Sequence, residues 1–103
     1  MYTIDYNPDG QLISVAFKGR MDTLIVEEFG KPLEAETVIQ NRKPGDKIVF
    51  DLGEVDYIAS SFIRTCITYA KLAGPGGFSI ANCQPFVKKT FKISGLDEML
   101  TIR

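Results

Sequence analysis

The chain has 103 residues, 45 % hydrophobic and 24 % charged, the length of one domain that can bury its core without metals or disulfides. Twelve basic against thirteen acidic residues leave a formal charge of −1, which gives no electrostatic footprint for nucleic acid. Histidine is absent, and Cys66 and Cys83 have neither metal spacing nor a CxxC arrangement. No metal or cofactor is therefore expected, and reduced thiols in a cytoplasmic protein are the simplest account.

No apolar run reaches the length of a membrane span, and Met1-Tyr2-Thr3-Ile4-Asp5 does not have the pattern of a signal peptide, so no direct insertion into a membrane is expected. Tyr2 to Tyr6 alternates and is rich in β-formers. Asn7-Pro8-Asp9-Gly10 is turn chemistry, and Leu12 to Phe17 follows as a second strand, so the chain should open with a hairpin. Asp22 is placed to cap a helix. Ile25, Phe29 and Leu33 mark one helical face, and the spacing predicts a helix over roughly 23–40 that bends or breaks near Lys31, because of Gly30 and Pro32.

After the polar loop Asn41 to Asp46, Ile48-Val49-Phe50 is a buried-strand signal, closed by Asp51-Leu52-Gly53. Tyr57-Ile58 then gives way to Ala59-Ser60-Ser61 and a helical pattern ended by Gly74-Pro75-Gly76-Gly77. This glycine-rich segment lacks the Lys-Ser/Thr of a phosphate loop. Phe78 to Ala81 is a short strand. Pro85 opens a third helix, whose apolar side is assigned to Phe86, Val87, Thr90, Phe91 and Ile93. Leu100-Thr101-Ile102 adds a last strand. A hairpin followed by strand-helix alternation predicts one α/β domain, with helices packed against a mainly parallel sheet.

At about 100° per residue, Ser60, Ser61, Arg64, Thr65, Thr68 and Lys71 share one arc of the second helix. Phe62, Ile63, Cys66, Ile67, Tyr69, Ala70 and Ala73 face the core. A phosphate on Ser60 would meet the free N–H groups and positive dipole end of the helix, with the Arg64 guanidinium one turn along. The plainer reading makes Ser60 an N-cap, and the two are compatible. Asp51, Glu54 and Asp56 have no metal-loop spacing and are assigned to a solvated loop. Lys88, Lys89 and Lys92 form a basic patch on the third helix. It is either a wet face or a surface for an acidic partner.

The runs Ile48-Val49-Phe50-Asp51-Leu52, Val55-Asp56-Tyr57-Ile58 and Ala59-Ser60-Ser61-Phe62-Ile63-Arg64 resemble the STAS domain, the sulphate-transporter and anti-sigma-factor-antagonist family. Gly19-Arg20-Met21-Asp22 and Gly95-Leu96-Asp97 match two further family patterns, so the resemblance covers nearly the whole chain. It implies a bacterial anti-sigma factor antagonist, a binding protein and not an enzyme. Such a protein pairs with an anti-sigma factor that is also a serine kinase, and so controls transcription by partner switching. The family's phosphorylated serine falls on Ser60, with Ser61 as fallback. The implied interface holds Asp22, Thr23, Ser60, Ser61, Arg64 and Thr68, on a monomer or weak dimer. Two positions depart from the family's Asp-Ser-Ser/Ala-Gly-Leu: its Asp is Ala59 and its Gly is Phe62. The missing acid favours an alternative, a non-phosphorylated regulatory subunit of a membrane lipid-transport ATPase complex.

Overall fold

Alternation decides which side of the sheet is dry. In the computed structural model, which describes residues 2–96 and 100–103, β1 (Tyr2–Asn7) pairs antiparallel with β2 (Leu12–Met21). Strand β2 then runs parallel to β3 (Lys47–Ile58), β3 to β4 (Phe78–Ala81), and β4 to β5 (Thr101–Ile102). The sheet order is β1-β2-β3-β4-β5. Register brings Ile13, Ile48 and Phe78 into one row and Val15, Phe50 and Ile80 into the next, all of them buried. The intervening residues Ser14, Ala16, Val49, Asp51, Ser79 and Ala81 are only half-buried.

The helices are α1 (Thr23–Glu34), α2 (Thr37–Gln40), α3 (Ser60–Ala73) and α4 (Pro85–Ile93). Every parallel connection steps one strand in the same direction. Right-handed crossovers therefore place α1, α3 and α4 on the same face, with α3 between the other two. Phe29 and Leu33 of α1, Phe62, Cys66 and Tyr69 of α3, and Val87 and Phe91 of α4 complete one core with the buried strand residues.

Four local expectations are corrected. Strand β2 does not end at Phe17 but continues through Gly19, Arg20 and Met21. Nor does β3 stop at Gly53, since it runs unbroken to Ile58. The two stay paired through register shifts between Ala16 and Lys18 and between Gly19 and Arg20, where β3 carries the extra residues. Gly19 absorbs the distortion with φ +93°, a conformation that glycine adopts without a Cβ clash. Helix α1 passes through Pro32 and breaks at Ala35 and Glu36, beyond Lys31. The backbone bond that Pro32 cannot make would reach the Glu28 carbonyl, and both residues are exposed, so the lost bond falls on the solvent side of the helix. On α4, Phe86 and Ile93 do not enter the core; they are 64 % and 78 % exposed.

Other expectations hold. Cys66 is buried, and Gly74 ends α3 with φ +81°. A side chain at Gly77 would collide with the carbonyl of Ala73, so the turn into β4 can close tightly only with glycine. Among the described residues no helix is long and apolar enough to cross a membrane.

Candidate functional site

The extended ends of β2 and β3 build one corner of the molecule. The Ala59 N–H donates to Met21 O at 2.9 Å, tying the residue before α3 to the end of β2. One residue further, Asp22 caps α1: its Oδ1 accepts from the Ile25 N–H at 3.0 Å. Its Oδ2 lies 3.7 Å from Arg20 Nε, and the Arg20 guanidinium carbon stands 3.9 Å over the Tyr57 ring. The starts of α1 and α3 meet where Ser61 Oγ and Thr23 Oγ1 form a 3.4 Å hydrogen bond. Asp22, Thr23, Ser60 and Ser61 are thereby brought together.

Ser60 is not the N-cap. That position belongs to Ala59, in extended conformation, with no side-chain cap bond. Ser60 is the first helical residue and is exposed, and among the described residues its hydroxyl has no hydrogen-bond partner. The carbonyl of Ala59 accepts from the Phe62 and Ile63 N–H groups, at 3.0 and 3.2 Å. The N–H groups of Ser60 and Ser61, preceding them, remain the orphan donors of the helix start.

Arg64 and Thr68 continue the exposed side of α3, as the helical projection required. Arg64 makes no ion pair among the described residues. Thr65 Oγ1 donates to Ser61 O at 3.1 Å and Thr68 Oγ1 to Arg64 O at 3.0 Å, so both hydroxyls bend back onto the helix. Behind Ser60, Phe62 is fully buried, its ring edge-on to Phe17 at 5.1 Å and 6.2 Å from both Phe29 and Phe50.

Sequence reasoning missed Arg20 and Tyr57. They are register partners across β2 and β3, a pairing invisible once both strands are ended early. Asp51, assigned to a solvated loop, lies within β3. It accepts from the Gly53 N–H at 2.9 Å and the Asn82 amide at 3.2 Å. Among the described residues, no three His, Cys, Asp or Glu side chains converge on a metal position. Burial pushes the Cys66 thiol well above its ordinary value, and the half-buried Cys83 is pushed up for the same reason. Neither thiol has the environment of a nucleophile. A groove of about 380 Å³ lies at the far end of α3 against Ile67, Lys71, Pro75 and Phe78. The corner around Ser60 thus presents exposed polar side chains, Ser60, Thr23 and Arg64, beside the start of α3.

The sequence profile of the STAS domain matches residues 4–103. The chain belongs to the STAS domain family. Among curated relatives, this STAS domain is 34 % identical over 89 residues to BtrV of Bordetella bronchiseptica, which is named as an anti-sigma factor antagonist. That match covers 84 % of this chain and 72 % of BtrV. A STAS-domain containing protein of Pseudomonas aeruginosa is 28 % identical over 96 residues, 91 % of this chain and 90 % of that one. The fold is shared with an anti-sigma factor antagonist from Mycobacterium paratuberculosis, at TM-score 0.76, 21 % identity and 99 % and 83 % coverage of the two chains. It is also shared with unphosphorylated SpoIIAA, at TM-score 0.73, 18 % identity and 100 % and 88 % coverage. The family's Gly-Leu-Asp is present through Leu96, which is buried and donates its N–H to Phe91 O at 3.1 Å. Asp97 lies outside the described residues.

Proposed function

We propose that this protein is an anti-sigma factor antagonist, docking an anti-sigma factor with serine-kinase activity on the corner made by Asp22, Thr23, Ser60 and Ser61 and along Arg64 and Thr68. Phosphorylation of Ser60 ends the complex. One observation carries the reading: Ser60 is exposed at the first turn of a fourteen-residue helix, and its hydroxyl has no structural task among the described residues. A phosphate there gains the orphan N–H groups and the helix dipole, and Arg64 stands one turn away with no ion-pair partner among the described residues. The added charge and bulk sit where a partner's surface has to close, so one modification both costs desolvation and blocks contact. The name borne by BtrV supports the same reading. Ser61 is the poorer acceptor, because its hydroxyl is already engaged with Thr23.

Incubation with the cognate anti-sigma factor and ATP, followed by intact-mass measurement, tests the switch. Wild type is expected to gain one phosphate and Ser60→Ala none, while Ser60→Asp binds the partner at least tenfold more weakly. Absence of uptake by wild type removes the switch.

Ala59 favours a second reading. With no carboxylate beside the serine, the corner suits permanent contact with a lipid-transport ATPase complex. Co-purification of an ATPase, with Ser60 unmodified, would select it over the first.

A further inference from the structure

Helix α4 has a second apolar stripe that the core does not use. Val87 and Phe91 anchor its inner side and are fully buried, yet Phe86 and Ile93 stand outside it, 64 % and 78 % exposed. They lie seven residues apart, two turns, and therefore on the same line of the helix surface. Lys89 and Lys92 are exposed on the flank of this line, Lys88 is exposed beyond the buried arc, and the helix contains no acidic residue. Three of the chain's twelve basic residues are thus concentrated on nine positions of a chain whose net charge is negative.

The opposite flank of the helical layer carries the complement. On α1, Phe29 and Leu33 face inward, and Leu24 stands outward, 65 % exposed. Glu27 and Glu28, three and four residues on, flank it and are exposed. Lys31, a turn further, is the one cation on that face and bounds the acidic patch.

From this complementarity we infer that the basic apolar stripe of α4 docks on the acidic apolar face of α1 in a second copy of the chain. Leu24 seats between Phe86 and Ile93, and the lysines meet Glu27 and Glu28. The donor and acceptor surfaces are different, so the contact is head-to-tail. A patch spanning about two helical turns on each partner falls well short of a standard interface, so the association is weak and salt-sensitive. It does not depend on phosphorylation of Ser60.

Sedimentation equilibrium of the full chain between about 10 and 500 µM, the weak-association range, reads the contact directly. At low salt the wild-type average mass is expected to rise with concentration, and to fall back in high salt. The Lys88→Glu/Lys89→Glu/Lys92→Glu variant and the Glu27→Lys/Glu28→Lys variant each remain monomeric alone. Their equimolar mixture regains association, because each supplies the charge that the other has reversed. Phe86→Ser/Ile93→Ser loses association without any change of charge. Every substitution is at an exposed position, and far-ultraviolet circular dichroism checks that folding is kept. The inference is overturned by wild type that stays monomeric throughout, by a lysine variant that associates as well as wild type, or by a mixture that does not recover. Monomeric wild type that instead sediments with phosphatidylglycerol vesicles would assign the stripe to a membrane surface and overturn it equally.

Discussion

Phe62 stands where the resembled family pattern has glycine, and its buried side chain anchors the start of α3. Its ring closes a cluster with Phe17, Phe29 and Phe50 directly beneath the Ser60 surface. Removing it leaves a cavity that the three remaining rings cannot refill, because they are held by further contacts such as Phe17 against Phe50 at 4.9 Å. Phe62→Ala is expected to lose about 3–5 kcal/mol in denaturant unfolding. A loss below about 1 kcal/mol would mean that the cluster repacks, and that α3 is not pinned at its start by this side chain. The burial of Phe62 was legible in the sequence, since the 3.6-residue period puts it on the arc with Cys66 and Tyr69. Its set of aromatic partners was not, because those rings come from three other elements.

The starts of α1 and α3 are neighbours built by opposite means. Helix α1 has a true side-chain cap in Asp22, whereas α3 starts from Ala59 with nothing but backbone. Stability measurements should separate them. Asp22→Ala is expected to cost about 1 kcal/mol, the worth of a side-chain cap, and Ser60→Ala less than about 0.5 kcal/mol. Equal losses at both positions would restore Ser60 to a capping role and weaken the case that its hydroxyl is free for modification. Both helix starts were found from sequence. The identity of the capping residue at α3 depended on one residue of strand length, because β3 continues to Ile58 and leaves only Ala59 between the elements. Helix α4 was found from its period as well, but two apolar arcs on one helix look alike until the sheet chooses between them. Val87 and Phe91 were chosen, leaving Phe86 and Ile93 outside.

At the scale of the molecule, two tyrosines join the layers and set an alkaline limit. The Tyr2 hydroxyl on edge strand β1 donates to Glu36 Oε2 at 2.7 Å, tying the edge strand to the break after α1. Burial, with Glu36 adding to it, pushes the phenol up from its ordinary 10.0 to about 12. Burial, with Glu34 and Tyr2 adding to it and Arg42 opposing, does the same for Tyr69 on α3. The folded state favours the neutral phenol in both cases. Their contribution is complete below pH 10, where the unfolded chain also holds its protons, and is lost as pH rises through the folded value near 12. Denaturant unfolding across this window should show falling stability, with two late-titrating phenols in ultraviolet difference absorbance. A flat profile would show that the two hydroxyls are as free as in the unfolded chain.

What the sequence determined by itself was whatever repeats along the chain. Alternation placed Ile13, Val15 and Phe17 on one side of β2, the helical period assigned the two arcs of α3, and the element order specified a mainly parallel sheet. Neighbours a few residues apart settle those properties. The tertiary structure decided the rest. It carried β2 and β3 past Gly19 and Gly53, because pairing between Lys18 and Glu54 and between Gly19 and Val55 supplies hydrogen bonds that local turn propensity does not count. It set Arg20 over Tyr57, brought Thr23 to Ser61, and left the Ser60 hydroxyl without a partner among the described residues. Contacts between residues more than thirty positions apart make that corner, and no period in the sequence encodes them.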